Sequence, residues 1–225
     1  MPDEALAERL ASVQGDVADA IRRAGRDAAT VSTIVVSKFH PASLVRELVG
    51  LGVRSFGESR HQEASVKAAE VSDLDVEWHF IGQLQSKKAR LAKAYARVIH
   101  SLDRDSLVTA LSSTDDSVDV FAQVNLADDP ARGGVPVADL PGFIDRVVGT
   151  PGLRLLGLMT VAPLDVEPRS AFARLRELSE QVQQTAPGAT SLSMGMSGDY
   201  AAAILEGATH LRIGTAITGN RPPHG

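Results

Sequence analysis

Residues 33–50 read TIVVSKFHPASLVRELVG. The run from Thr33 to Ser37 is short and rich in β-branched residues, the composition of a parallel strand buried on both faces. Pro41 suits the first turn of a helix, Leu44, Val45, Leu48 and Val49 fall on one side of it, and Gly50 stops it. The stretch is therefore one strand, one short loop and one helix, with Lys38 in the loop directly after the strand.

The same pattern repeats outward from this unit. Further strands are expected at Val53–Phe56, Val76–Phe80, Arg97–His100, Val118–Asn125, Leu153–Met159, Thr190–Ser193 and Thr209–Ile213. Helical patterns fall between them at 59–70, 86–95, 104–113, 136–148, 168–185 and 197–206, the last capped by Gly207. Upstream, Leu6, Leu10, Val13, Val17 and Ile21 form one apolar stripe that ends at Gly25, an additional helix over 1–25. Eight strands alternating with helices favour a closed (β/α)8 TIM-type barrel over a doubly wound sheet, and such a barrel needs about 200–250 residues. The 225 residues then divide into the N-terminal helix (1–25), the barrel (33–215) and a C-terminal tail (216–225), within a single domain.

Bulk chemistry narrows the function. A net charge of −5 argues against nucleic acid as a partner. No apolar run is long enough to cross a bilayer, so no membrane contact is expected. The acidic opening MPDEALAERL is unlike a secretory signal, and a cytoplasmic location follows as the expectation. With no cysteine, disulfides, thiolate catalysis and cysteine-held zinc are excluded.

Barrel enzymes place their chemistry at the C-terminal ends of the strands. Lys38 stands at the first such end. Desolvation there favours the neutral, nucleophilic amine, which forms Schiff bases with aldehydes and ketones; the alternative is a lysine that snorkels to solvent. The segment Ser193-Met194-Gly195-Met196-Ser197 leads from the seventh strand toward a helix, with Ser197 as the expected N-cap, and Arg212-Ile213-Gly214-Thr215 follows on the eighth strand. Loops after these two strands are the usual phosphate site of the fold, although an ordinary cap and a tight turn would read alike. An imine-forming lysine and a phosphate cradle on one mouth imply a phosphorylated aldehyde or ketone. Pyridoxal 5′-phosphate (PLP) and a phosphosugar held by a Schiff-base aldolase both satisfy that.

Other residues carry weaker signals. His79 and His100 are isolated histidines without metal-ligand spacing, more typical of structural histidines. Met194 and Met196 suit either the faces of a planar ring or gaps in the core. Asn125 marks the fifth strand end. Lys87-Lys88-Ala89-Arg90 reads as a solvated helix start, or secondarily as a contact for an anionic partner.

VSKFHP (36–41), FGES (56–59), WHFIGQLQSKK (78–88), HSLDR (100–104), QVNLA (123–127), GLMTVAP (157–163), LSMGMSGDY (192–200) and RIGTAITGNR (212–221) together resemble the pyridoxal phosphate homeostasis protein family, over nearly the whole chain. That barrel is shared with the N-terminal domain of alanine racemase. The resemblance implies PLP bound covalently as a Schiff base on Lys38, its phosphate on Ser197, Gly214 and Thr215, and its pyridine nitrogen against Arg212. Met194, Asn125 and His79 complete the expected cofactor contacts, with no catalytic residue and no metal. The implied role is a PLP carrier in cofactor homeostasis, with PLP-dependent apo-enzymes as recipients and a monomer or weak dimer as the assembly. The alternative is a minimal PLP enzyme such as a weak amino-acid racemase. Racemases of this class carry a further β-domain, and the chain ends soon after RIGT, so an open mouth suited to loading and transfer is expected. Ser59 stands where the family usually has asparagine, as does Lys87. Arg132 stands where many members have lysine, and arginine cannot take part in imine exchange.

Overall fold

The computed structural model describes residues 4–127, 129 and 132–220. Helix α1 (Glu4–Arg23) buries Leu6, Leu10, Val13, Val17 and Ile21, the stripe expected of it. The chain then runs β1 (Ser32–Val36), α2 (Ala42–Gly50), β2 (Ser55–Glu58), α3 (His61–Glu70), β3 (Glu77–Phe80), α4 (Ala89–Lys93), β4 (Val98–Leu102), α5 (Asp105–Leu111), β5 (Val118–Asn125), β6 (Val135–Pro136), α6 (Leu140–Val148), β7 (Leu153–Met159), α7 (Pro168–Thr185), β8 (Ser191–Ser193), α8 (Tyr200–Leu205), β9 (His210–Ile213) and α9 (Thr215–Thr218).

The strands lie in the order β4-β3-β2-β1-β9-β8-β7-β5, and β4 pairs with β5 to close the circle. Every pairing is parallel. This is the (β/α)8 barrel anticipated from the alternation. β6 is a two-residue addition that pairs only with the end of β5, Val124 opposite Val135.

Alternation along the strands makes two apolar layers. Outward residues such as Val35, Phe56, Phe80, Ile99, Val120, Leu158, Leu211 and Ile213 meet the helices in one continuous core. Inside the barrel a small cluster of Val98, Phe121 and Met159 fills part of the axis. The rest of the interior holds Ile34 and Val36 of β1 together with polar groups, among them the buried His79, His100, Ser193 and Arg212.

Several boundaries differ from the sequence expectation. β2 begins at Ser55 rather than Val53, because the Val53 amide bonds back to Leu48 O at 2.9 Å and finishes the turn after α2. Gly57 and Glu58 therefore lie within the strand. β4 extends to Leu102, which makes His100 an interior residue rather than a strand end. The helix expected over 197–206 starts only at Tyr200, and Thr215–Thr218 of the expected tail and strand end is helical. Residues 221–225 of that tail, Arg221 of the RIGTAITGNR motif included, lie outside the described residues.

Helix α1 packs on α8 and α9. Arg9 Nε donates to Ile217 O at 2.8 Å, and Arg26 Nη1 donates to Ala208 O at 2.7 Å, tying the N-terminal segment to the last βα unit.

Candidate functional site at the C-terminal mouth of the barrel

β1 ends at Val36, one residue before the expected Ser37, and Lys38 follows after Ser37 and is half-buried. By alternation Ser37 points outward and Lys38 toward the barrel axis. The residue after it, Phe39, takes φ +69°, the left-handed region that side-chain-bearing residues rarely enter. Its ring lies 5.9 Å from Lys38 Nζ, and Arg60 stacks on it at 4.8 Å.

Behind Lys38, between barrel and helices, a buried polar group fixes the strand end. Ser37 Oγ donates to Glu58 Oε1 at 2.8 Å, and Lys67 Nζ from α3 donates to Ser37 O at 2.9 Å and to the Glu58 carboxylate. Glu58 is 1% exposed and Lys67 5%. Burial pushes the Glu58 carboxyl up, against the opposing pull of Lys67. The carbonyl that Lys67 holds belongs to the peptide leading into Lys38, so the pair sets where the Lys38 side chain departs.

On the other flank of β1, beside its ladder partner β9, the loops after β8 and β9 are laced together. Met194 N donates to His210 O at 3.2 Å, Arg212 N to Gly195 O at 2.9 Å, and Gly214 N to Ser197 Oγ at 3.3 Å. Gly195 sits at φ +93°, and a Cβ there would lie 2.7 Å from Ala203 Cβ, so only glycine lets the loop pass. Ser197 is not the N-cap it was expected to be. Asp199 holds that place, its carboxylate accepting from Met196 N at 2.5 Å. The local turn spends Asp199 on its own backbone and leaves the Ser197 hydroxyl to bridge to Gly214.

Arg212 points inward from β9. Its Nη1 donates to Ser193 Oγ at 2.6 Å and its Nη2 to Thr160 O at 2.8 Å. Burial lowers its pKa to about 10, which still leaves it cationic at neutral pH.

The structure thus gathers Lys38, Ser197, Arg212, Gly214 and Thr215 at the C-terminal strand ends. The other three expected contacts fall differently. Met194 is fully buried in the outer core, because alternation turns Ser193 inward and Met194 outward; its side chain offers nothing to the mouth. His79 is 2% exposed inside the barrel, with Nδ1 3.0 Å from His100 Nε2, below the rim rather than on it. Asn125 stands at the rim, but its amide donates to the carbonyls of Asp129 and Arg132 and its oxygen accepts from Ala127 N, so it braces its own loop. Among the described residues no group of three or more His, Asp or Glu is placed to hold a metal ion.

Sequence reasoning passed over Ser193 and the part played by His100. The available signal was parity: in Val98-Ile99-His100 and Leu192-Ser193 a polar side chain alternates with apolar ones inside a strand.

A family model for the N-terminal domain of alanine racemase matches residues 15–222. The pyridoxal phosphate homeostasis protein of Pseudomonas aeruginosa is 43% identical over 96% of this chain and 96% of its own length. That of Escherichia coli is 36% identical over 96% of this chain and 97% of its own. Among solved structures, PipY of Synechococcus elongatus with PLP bound has a TM-score of 0.82 at 38% identity, covering 95% of this chain and 100% of that one. Alanine racemase of Corynebacterium glutamicum shares the fold at 15% identity and a TM-score of 0.74, covering 99% of this chain and 63% of that one. With the barrel, the strand-end lysine and the laced loops in place, these matches show that the chain belongs to the pyridoxal phosphate homeostasis protein family.

Proposed function

We propose that this protein binds pyridoxal 5′-phosphate at the C-terminal mouth of the barrel and serves as a carrier in homeostasis of that cofactor. The observation that carries the reading is the juxtaposition on one rim of a half-buried lysine and a pair of laced loops after β8 and β9. Support comes from the relatives named for this role and from PipY, solved with PLP.

The donor set fits the cofactor. Lys38 Nζ is the nucleophile for its aldehyde. The Ser197 hydroxyl and the backbone at Gly214 and Thr215 would hold its phosphate, and Arg212 would meet its ring nitrogen. PLP when bound supplies an electron-withdrawing ring, and its strength depends on protonation of that nitrogen. A guanidinium has only hydrogens to donate. Arg212 there would keep the nitrogen an acceptor, which would weaken the ring as an electron sink and disfavour turnover. Met194 and His79 are not part of this rim, and Asn125 contributes through the loop it braces.

The role is cofactor handling rather than catalysis, with PLP-dependent apo-enzymes as recipients. The test is transfer. Loaded protein is mixed with an apo-enzyme while a PLP-consuming scavenger removes free cofactor. Recovery of the recipient's activity, with no D-enantiomer formed from single L-amino acids at enzyme-like rates, is the expected result. Rapid racemisation would replace this reading with that of a minimal PLP enzyme.

A further inference from the structure

The interior of the barrel holds a line of polar groups that runs from one mouth to the other. Glu77 opens β3 at the N-terminal end, and its side chain is 48% exposed. His79 Nε2 lies 2.9 Å from Glu77 Oε1, at ion-pair distance though not aligned as a formed hydrogen bond. His79 Nδ1 is 3.0 Å from His100 Nε2, and His100 Nδ1 is 2.7 Å from Ser193 Oγ. Ser193 Oγ in turn accepts from Arg212 at the cofactor end.

Chemistry fixes the direction of this line. Arg212 only donates, so Ser193 Oγ accepts from it. Ser193 is fully buried, and His100 Nδ1 is the remaining neighbour for its hydrogen. Leaving that hydrogen unspent would carry the penalty of a buried unmade hydrogen bond. Ser193 therefore donates to His100 Nδ1. His100 is then protonated on Nε2 and donates to His79 Nδ1, and His79 is protonated on Nε2, facing Glu77. Every donor points away from the cofactor toward a carboxylate at the far mouth. The burial that holds His100 neutral is consistent with one proton per ring.

We propose that Glu77, His79, His100 and Ser193 act as positioning residues, a one-way hydrogen-bonded chain through the barrel axis that anchors Arg212 against the cofactor. This rests on the reading of Arg212 as the ring-nitrogen contact. The carboxylate polarises the chain and makes Ser193 Oγ a better acceptor, which restrains the guanidinium more firmly.

The test combines two measurements. In protein free of PLP, 15N-detected imidazole spectra should show both His79 and His100 in the Nε2–H form, and Ser193→Ala should release His100 from that state. In loaded protein, Glu77→Gln, remote from the cofactor and half-exposed, should raise the PLP dissociation rate about threefold, as expected for members of one network. Ser193→Ala should raise it further, Ser193→Thr should restore it, and the Glu77→Gln/Ser193→Ala double variant should be no faster than Ser193→Ala alone. An Nδ1–H form at His100, a silent Glu77→Gln, or rates that multiply in the double variant would overturn the chain. Arg212→Lys separates the two readings: if it leaves dissociation unchanged, the assignment of Arg212 to the cofactor fails. If it accelerates dissociation while Glu77→Gln does not, the chain alone fails.

Discussion

Arg212 keeps its charge although only 4% of it reaches solvent, because two acceptors are built around it. Arg212→Ala strands the carbonyl of Thr160 and removes the donor to Ser193 Oγ, and a loss of about 1–3 kcal/mol in urea unfolding is expected for a buried group left unsatisfied. His100 and His210 give the interior a pH signature. Burial holds His100 well below the usual histidine value, and burial followed by His79 lowers His210 to about 4. Both groups bind protons more readily when unfolded, so their contribution is present above the unfolded value of about 6.5 and is lost as pH falls toward the folded values. Glu58 works in the opposite sense, since its raised pKa favours the folded state in acid. The comparison of variants is therefore decisive. Thermal melts should show a midpoint that falls from about pH 6.5 downward, and His100→Gln should flatten that fall. An unchanged slope in the variant would show that His100 is not the titrating group.

The elements supply the rigidity that these residues require. Strand β1 ends in the buried group of Ser37, Glu58 and Lys67, so Lys67→Met leaves the carboxylate without its cation. A cost of about 3–5 kcal/mol is expected for breaking a buried pair, whereas Glu58→Leu combined with Lys67→Met should cost much less. Equal denaturation midpoints for the single and double variants would contradict this. The β8–α8 loop depends on Gly195, and Gly195→Ala combines φ +93° with a 2.7 Å approach to Ala203 Cβ. Destabilisation of about 2–3 kcal/mol should follow, together with faster loss of cofactor from the adjoining rim. Helix α1 packs its stripe on α8 and α9, which follow the strands of that rim. Leu10→Ala, at a site 4% exposed, should cost about 2–5 kcal/mol.

At the scale of the whole molecule, the barrel was legible because its signals are periodic and local. Runs such as Thr33–Ser37 and Leu153–Met159, each followed by a helical stripe, specify a βα unit without reference to anything distant. Boundaries slipped where a turn competed with the ladder, as at Val53, or where a tight turn delayed the helix start, as the Met196–Asp199 turn did after Ser197. β6 escaped notice because two residues, Val135 and Pro136, carry no period. The rim residues Lys38, Ser197, Arg212, Gly214 and Thr215 were placed by strand ends and resemblance. Met194 turns to the outer core because strand parity, not proximity to the loop, decides which way it faces. The line from Glu77 to Arg212 joins residues of four strands, and only the closed barrel brings them together. The central claim is that Lys38 holds PLP at this rim, and the visible spectrum tests it most directly. Protein incubated with PLP and freed of excess should be yellow, lose its visible band on borohydride reduction, and retain the label in a peptide containing Lys38, while Lys38→Ala stays colourless. A wild-type protein that remains colourless, or a Lys38→Ala variant with the same reducible band, would contradict the account.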